Sequence, residues 1–247
     1  GVIGKTPIHL QSNQEKEKVP ELSCLWIDTG LDVEDVKENV HIGDVVVIKQ
    51  KPEVVGDYRI TSRALDDKIG VYVVAEVMKR LGNERNALRC NVKGVATVQE
   101  EVGLRGAQTS VNLLKPDVAF VIDTCVAGGT PGVADDVAPA KIGEGIAITI
   151  FDAGMIPNTA LRDFAAKVAK DLKIPTQISI SEGGATDGGR IHLHGDGVLT
   201  LTFSIPTRYI HSHQSIIHMD DYEGAVELIT AMIEKLDSKK YQELLKG

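Results

Sequence analysis

The chain has 247 residues, 43% of them hydrophobic and 25% charged, which suits one large domain or one large plus one small and makes disorder unexpected. Against 27 Lys plus Arg stand 35 Asp plus Glu, a net charge of -8 that repels nucleic acid and anionic lipid, so neither is expected as a partner. Cys24, Cys90 and Cys125 are far apart and form no C-x-x-C pair, which excludes a disulfide scaffold or thiolate zinc site and fits a reducing cytoplasm.

No apolar run approaches the roughly 20 residues of a membrane span, and "GVIGKTPIHL" lacks the basic start and apolar centre of a signal peptide. From residue 1 to about 58, "PIHL", "SCLWIDTG" and "HIGDVVVIKQ" read as short β segments, with "DVEDVKENV" as a polar helix between them. Residues 1–58 are expected to form a β-rich module and residues 59–247 an α/β layered domain, with the boundary near "VVGDYRITS".

In "DDKIGVYVVAEVMKRL", Ile69, Val73, Val77 and Leu81 recur every fourth residue, which predicts a helix entered through Asp66 and Asp67. "CNVKGVATVQ", "VAFVID", "GIAITIF" and "GVLTLTFSI" are apolar runs bounded by turn residues, and predict largely buried strands. "NTALRDFAAKVAKDL" reads as an amphipathic helix. A last helix carries the stripe Ala225, Leu228, Ile229, Met232, Ile233, Leu236 and packs back on the sheet. The three cysteines read as core residues.

Acidic residues fall repeatedly at element ends: Asp66 and Asp67 before a helix, Glu100 and Glu101 after "CNVKGVATVQ", Asp123 after "VAFVI". Ligands of open α/β sheets bind at the carboxyl ends of strands, where such residues converge. Grouped carboxylates repel, and a cation among them removes the conflict. "RYIHSH" adds His211 and His213 just after a predicted strand, and zinc accepts imidazole nitrogen together with carboxylate oxygen. Each residue also has a plain structural reading: the Asp pair as helix caps, Glu-Glu as a solvated turn, Asp123 and His211 as satisfied structural groups. His192 and His194 in "IHLH" share one face if that stretch is a strand, but no acidic partner stands beside them in sequence. "GGATDGG", residues 183–189, fits an anion-binding nest or a flexible turn equally well. G-x-S-x-G and G-x-x-x-x-G-K-[ST] are absent, which removes support for serine hydrolysis and nucleoside triphosphate binding.

"ALDDKIG", "TVQEEVGLRGA", "VIDT", "GATDGG" and "PTRYIHS", in this order, resemble the tetrahedral-assembly (TET) aminopeptidases, dinuclear metallopeptidases whose relatives include glutamyl aminopeptidases and proteins labelled endoglucanase. The resemblance extends over essentially the whole chain. It implies an α/β/α sandwich catalytic domain with a small PDZ-like, β-barrel-like dimerisation domain within 1–58. It further implies two divalent ions, zinc or cobalt: Asp66 bridging, Glu101 and His211 on one ion, Asp123 on the other, Asp67 following Asp66 across a peptide bond that is often cis, and Glu100 as general base. Peptide substrates, a cytoplasmic location and a homo-oligomer from dimer to dodecamer are implied as well.

Members of the family carry, ahead of the inserted domain, a His-x-Asp stretch that supplies a ligand to the Asp123 metal. This sequence starts after that point, so the chain is expected to be a fragment of a longer peptidase. Two further readings accompany the main one: a non-catalytic assembly subunit, and a glycoside hydrolase, which adjacent Glu100 and Glu101 suit poorly because retaining glycosidases need carboxyl groups about 5 Å apart across the sugar.

Overall fold

The computed structural model describes residues 1–83 and 88–246. The chain divides into two compact units, Gly1–Val47 and Ile48–Gly247. The predicted boundary near 58 lies later in the chain, past strand Glu53–Val55, which hydrogen-bonds to Arg59–Ser62 in the second unit.

In the first unit, β1 (Val2–Gly4) and β2 (Trp26–Asp28) form an antiparallel pair, joined by α1 (Asn13–Lys16) and followed by α2 (Val33–Asn39). Ser12 and Glu15 close a reciprocal capping box on α1, and Asp32 accepts from the amides of Glu34 and Asp35 to start α2. No residue of 1–47 is buried, so this unit is held by caps and turns rather than by a core of its own. "PIHL" is a turn, not a strand, because Pro7 fixes φ and Leu10 N–H closes onto Pro7 O at 2.8 Å. "HIGDVVVIKQ" forms no strand: His41 and Asp44 close a turn, and Val45 and Val46 stay exposed without a ladder partner among the described residues. Cys24 is exposed, against the core position expected of it.

The second unit contains β3 (Glu53–Val55), β4 (Arg59–Ser62), α3 (Leu65–Asn83), α4 (Arg105–Leu114), β5 (Val118–Val126), β6 (Ile146–Asp152) and α5 (Thr159–Leu172). Then follow β7 (Thr176–Ser181), α6 (Gly188–Ile191), β8 (Leu199–Thr207), β9 (Ser215–His218), α7 (Met219–Glu234) and α8 (Ser238–Leu244). The main sheet has the order β5-β8-β6-β7, with β5 parallel to β8, β6 antiparallel to β8 and parallel to β7; β3-β4-β9 form a separate antiparallel sheet.

Alternation along β8 separates the two faces of the main sheet. Leu201, Phe203 and Ile205 point into the core, where α3, α5 and α7 pack, burying Val73, Val77, Leu161, Leu228 and Met232. Each such side chain contributes about 1.5–3 kcal/mol of transfer free energy. Thr202 and Ser204 face the opposite side, where Thr202 meets Thr186 at 3.1 Å beside α6, and Ser204 meets Thr149 at 3.1 Å. At Thr202 the polar face lies under the Gly-rich turn, while Ile178 and Ile180 of the edge strand β7 stay exposed.

Three predicted strands, "VAFVID", "GIAITIF" and "GVLTLTFSI", and the three long helices appear where the periodicity placed them. "CNVKGVATVQ" does not form a strand: no described segment pairs with it. An isolated run cannot be a strand without a ladder, whatever its β propensity.

Candidate metal centre

Asp66 and Asp67 sit where α3 bends. Both depart from helical backbone angles, and the peptide bond between them is cis. Regular helix starts after Asp67, whose Oδ1 accepts the Gly70 N–H at 3.0 Å and so caps the third amide of the turn. The cap and site readings of this pair coexist: Asp67 caps, while Asp66 is free to face the site. Gly70 is required here, since a Cβ in its place would lie 2.7 Å from the Asp67 carboxyl carbon.

Glu100 and Glu101 lie on a turn rather than at a strand end. Gln99 adopts φ 59° and reverses the chain, Glu100 O then accepts from Gly103 N at 3.0 Å and Leu104 N at 2.9 Å, and Leu104, at φ 58°, leads into α4. On the facing loop between β8 and β9, closed by the isolated bridge of Arg208 with Ile216, Tyr209 and His211 also have positive φ, 58° and 59°. Its tip is braced by Ser212 and Ser215 hydroxyls donating to Tyr209 O and by the Gln214 amide donating to Thr61 Oγ1 at 2.6 Å. Left-handed conformations of such residues cost about 1–3 kcal/mol each and collect at functional sites.

These elements bring Asp66, Glu101 and His211 together. His211 Nε2 is 3.0 Å from Asp66 Oδ2 and 3.5 Å from Glu101 Oε2. Asp66, Asp67 and Asp123 form a second group, and within each group the candidate ligand atoms lie within 4.8 Å of one another. Asp66 belongs to both. The side chain of Asp66 is only 12% exposed whereas those of Glu101 and His211 are 56% and 68% exposed, so the first group opens to solvent. Asp123 lies within β5 rather than at its end, with Oδ1 accepting the Thr124 N–H at 2.7 Å.

The carboxylates are held in electrostatic conflict. Burial pushes Asp67 up to about 9, reinforced by Asp123, Asp66 and Glu100. Burial, then Asp187, Glu101 and Asp66, push Glu100 up to about 7. Burial raises Asp123 well above the carboxylate range, and Glu101 is raised by burial and by Asp66. Asp187 is a member of this field that the sequence reading left inside a Gly-rich turn. It is buried, its Oδ2 accepts from the Thr97 hydroxyl at 2.6 Å, and its Oδ1 has no partner. The only signal for it in sequence is an acidic residue inside a Gly-rich run.

An imidazole nitrogen with two carboxylates fits a zinc-like divalent ion, and positive charge is what so many part-buried carboxyl groups lack. The residues present therefore fit a divalent metal. The second group offers oxygen ligands alone among the described residues.

Other candidates fall outside the site. His213 takes no part in either group. His192 and His194 do not share a strand face, since α6 and the following turn occupy that stretch, and His192 Nδ1 pairs with Gly188 O at 2.8 Å. The 183–189 turn is no anion nest: Thr186 takes the N–H groups of Gly188 and Gly189, and the buried Asp187 carboxylate repels an anion.

The M42 glutamyl aminopeptidase family matches residues 1–228 of the chain. The glutamyl aminopeptidase of Lactococcus lactis subsp. cremoris is 31% identical over 247 residues, covering 98% of this chain and 68% of that protein. The crystal structure of a TET aminopeptidase from a marine-sediment Thaumarchaeota archaeon superposes with a TM-score of 0.92 at 37% identity, covering 99% of this chain and 69% of the other. The TET1 peptidase of Pyrococcus horikoshii, which can assemble into a tetrahedron or a large octahedral shell, superposes with a TM-score of 0.81 at 33% identity, covering 94% of this chain and 67% of the other.

Proposed function

Because the chain belongs to the M42 glutamyl aminopeptidase family, we propose that it removes residues from the N-termini of peptides with two divalent ions, zinc or cobalt, as cofactors. The convergence of His211, Glu101 and Asp66 carries this reading. Asp66, Glu101 and His211 would hold one ion; Asp66 and Asp123 would hold the other, with Asp66 shared because it belongs to both groups. Bound ions supply Lewis acidity, drawing electron density from the scissile carbonyl and making water more acidic.

The chain's own groups do the rest. Glu100, beside Glu101 on the same turn, is the general base: its carboxylate takes a proton from the attacking water and delivers it to the leaving amine nitrogen. Without metal, burial and the neighbouring carboxylates push this carboxyl group up to about 7, and a bound cation would favour its ionised, proton-accepting form. The positive-φ turns at Gln99 and His211 fix the base and the ligand against one another. Homo-oligomerisation, from dimer to dodecamer, is part of the proposal and is supported by the shells of the TET1 peptidase. So is a cytoplasmic setting, supported by Cys24, Cys90 and Cys125 all being free thiols.

The test is hydrolysis of aminoacyl p-nitroanilides. Turnover abolished by chelator and restored by zinc or cobalt is the expected result; turnover that persists without metal, or none in metal-loaded protein, overturns the reading.

A further inference from the structure

The turn that carries Glu100 and Glu101 is fastened from a distant part of the chain. It follows residues 89–98, which belong to no sheet among the described residues, so ladder hydrogen bonds do not set its position. Its own backbone bonds are local: Arg105 N donates to Gln99 O at 3.2 Å, Gly106 N to Val98 O at 2.9 Å, and Gly103 N and Leu104 N to Glu100 O. Such bonds fix the shape of the turn and not its place beside the metal centre. Thr97, two residues ahead of Gln99, reaches further. Its hydroxyl donates to Asp187 Oδ2 at 2.6 Å, across 90 positions of sequence.

Asp187 in turn stands where the main sheet holds the chain. Ahead of it, Gly184 O accepts from Ala153 N at 2.8 Å just past β6, and the Thr186 hydroxyl lies 3.1 Å from that of Thr202 in β8 and 3.4 Å from Asp152 Oδ2 in β6. Behind it, Gly188 and Gly189 are buried. An Asp that served only its own turn would cap the next helix or face water. Asp187 does neither: its side chain makes no cap bond to α6, it is 8% exposed, and Oδ1 has no hydrogen-bond partner among the described residues. Burying a carboxylate so poorly bonded is costly, and the contact obtained for that cost is the one with Thr97.

We propose that Asp187 is the positioning residue of the Glu100 turn, holding it through Thr97 to the ends of β6 and β8. Asp187 touches no reacting atom; it acts by keeping the Glu100 carboxylate in register with the ligands on the other elements. The effect on turnover rests on the reading of Glu100 as general base, whereas the tie itself does not.

The test compares Thr97→Val, which removes the hydroxyl at nearly constant volume, with Thr97→Ser, which keeps it, and Asp187→Ala with Asp187→Asn, whose amide oxygen still accepts. In metal-free protein the amides of Gly103 and Leu104 are expected to exchange at least about tenfold faster in Thr97→Val and Asp187→Ala, and at the parent rate in Thr97→Ser. With saturating zinc and aminoacyl p-nitroanilides, kcat is expected to fall about 10–100-fold in the first two variants with KM little changed, and to return to within about threefold of the parent in Thr97→Ser and Asp187→Asn. Combining Thr97→Val with Asp187→Ala is expected to cost no more than Asp187→Ala alone, because both remove the same bond. Unaltered amide exchange in Thr97→Val overturns the proposal, as does unaltered kcat in that variant of an active chain. A loss in Asp187→Asn as deep as in Asp187→Ala also overturns it, by making the charge rather than the bond decisive. Should Asp187→Ala not fold, the two Thr97 variants decide. A parent chain without turnover fails the peptidase reading alone, and amide exchange then decides the tie.

Discussion

Nε2 of His211, in the loop between β8 and β9, lies 3.0 Å from Oδ2 of Asp66, at the bend of α3, and the two meet in a field of raised carboxyl groups. An imidazole reaching into such a field is the nitrogen ligand that the proposed metal site calls for.

His211→Ala is therefore expected to weaken zinc binding at least about a hundredfold, since losing even a group that only orients a metal ligand costs about 10–100-fold. His213→Ala, two residues along but outside both ligand groups, leaves affinity unchanged. Competition titration against a chromophoric zinc chelator measures both; equal loss in the two variants would falsify the assignment of His211.

Glu100→Gln keeps the shape of the turn and the proposed ligand Glu101 while removing the proposed proton acceptor. Zinc content is expected to stay at the wild-type level, and kcat to fall about 10²–10⁴-fold with little change in KM. Wild-type kcat in that variant would remove Glu100 from the mechanism.

The structure brings together Asp66, Glu101, Asp123 and His211, which stood out in sequence as acidic residues near the ends of predicted elements and a His-x-His stretch after a predicted strand; the part each would play came only from the family resemblance. Their geometry was not legible in sequence. Glu100 and Glu101 are aimed by the left-handed Gln99, not by strand alternation, and no composition rule places a positive φ on glutamine. Asp187 was hidden for a related reason: glycines predict a turn, but only the tertiary contact with Thr97 buries its carboxylate. Helices α3, α5 and α7 were readable from their 3.6-residue stripes, which need no distant partner to recognise. "CNVKGVATVQ" and "HIGDVVVIKQ" carry strand composition, yet strand formation depends on a neighbour that local sequence does not encode.

Stability should depend on pH in a direction set by the raised carboxyl groups. Glu100 at about 7 and Asp67 at about 9 bind protons more tightly in the folded chain than in the unfolded one. Between about pH 4 and 9 the folded state therefore holds more protons, so the stability of metal-free protein falls as pH rises. Thermal melts in chelator should show Tm decreasing from pH 5 to 9, and saturating zinc should raise Tm and flatten that slope by favouring the ionised carboxylates. A metal-free Tm that climbs across this range would contradict the electrostatic picture.

Gly70→Ala reverses an ordinary expectation. Within a helix, Ala is favoured over Gly by about 1 kcal/mol, and Gly70 is buried in the first regular turn of α3. Yet the added methyl group would stand 2.7 Å from the Asp67 carboxyl carbon, and that carboxylate is short, tightly surrounded and bonded to the Gly70 amide. The carboxylate must shift or the turn must open, either of which disturbs the neighbouring Asp66. Destabilisation of about 1–3 kcal/mol in urea unfolding of the metal-free protein, with weaker zinc binding in the same variant, is the expected outcome. A variant as stable as the parent with unaltered zinc affinity would show that Asp67 has room to move, and that the close packing of Gly70 does not set the position of the Asp66 carboxylate.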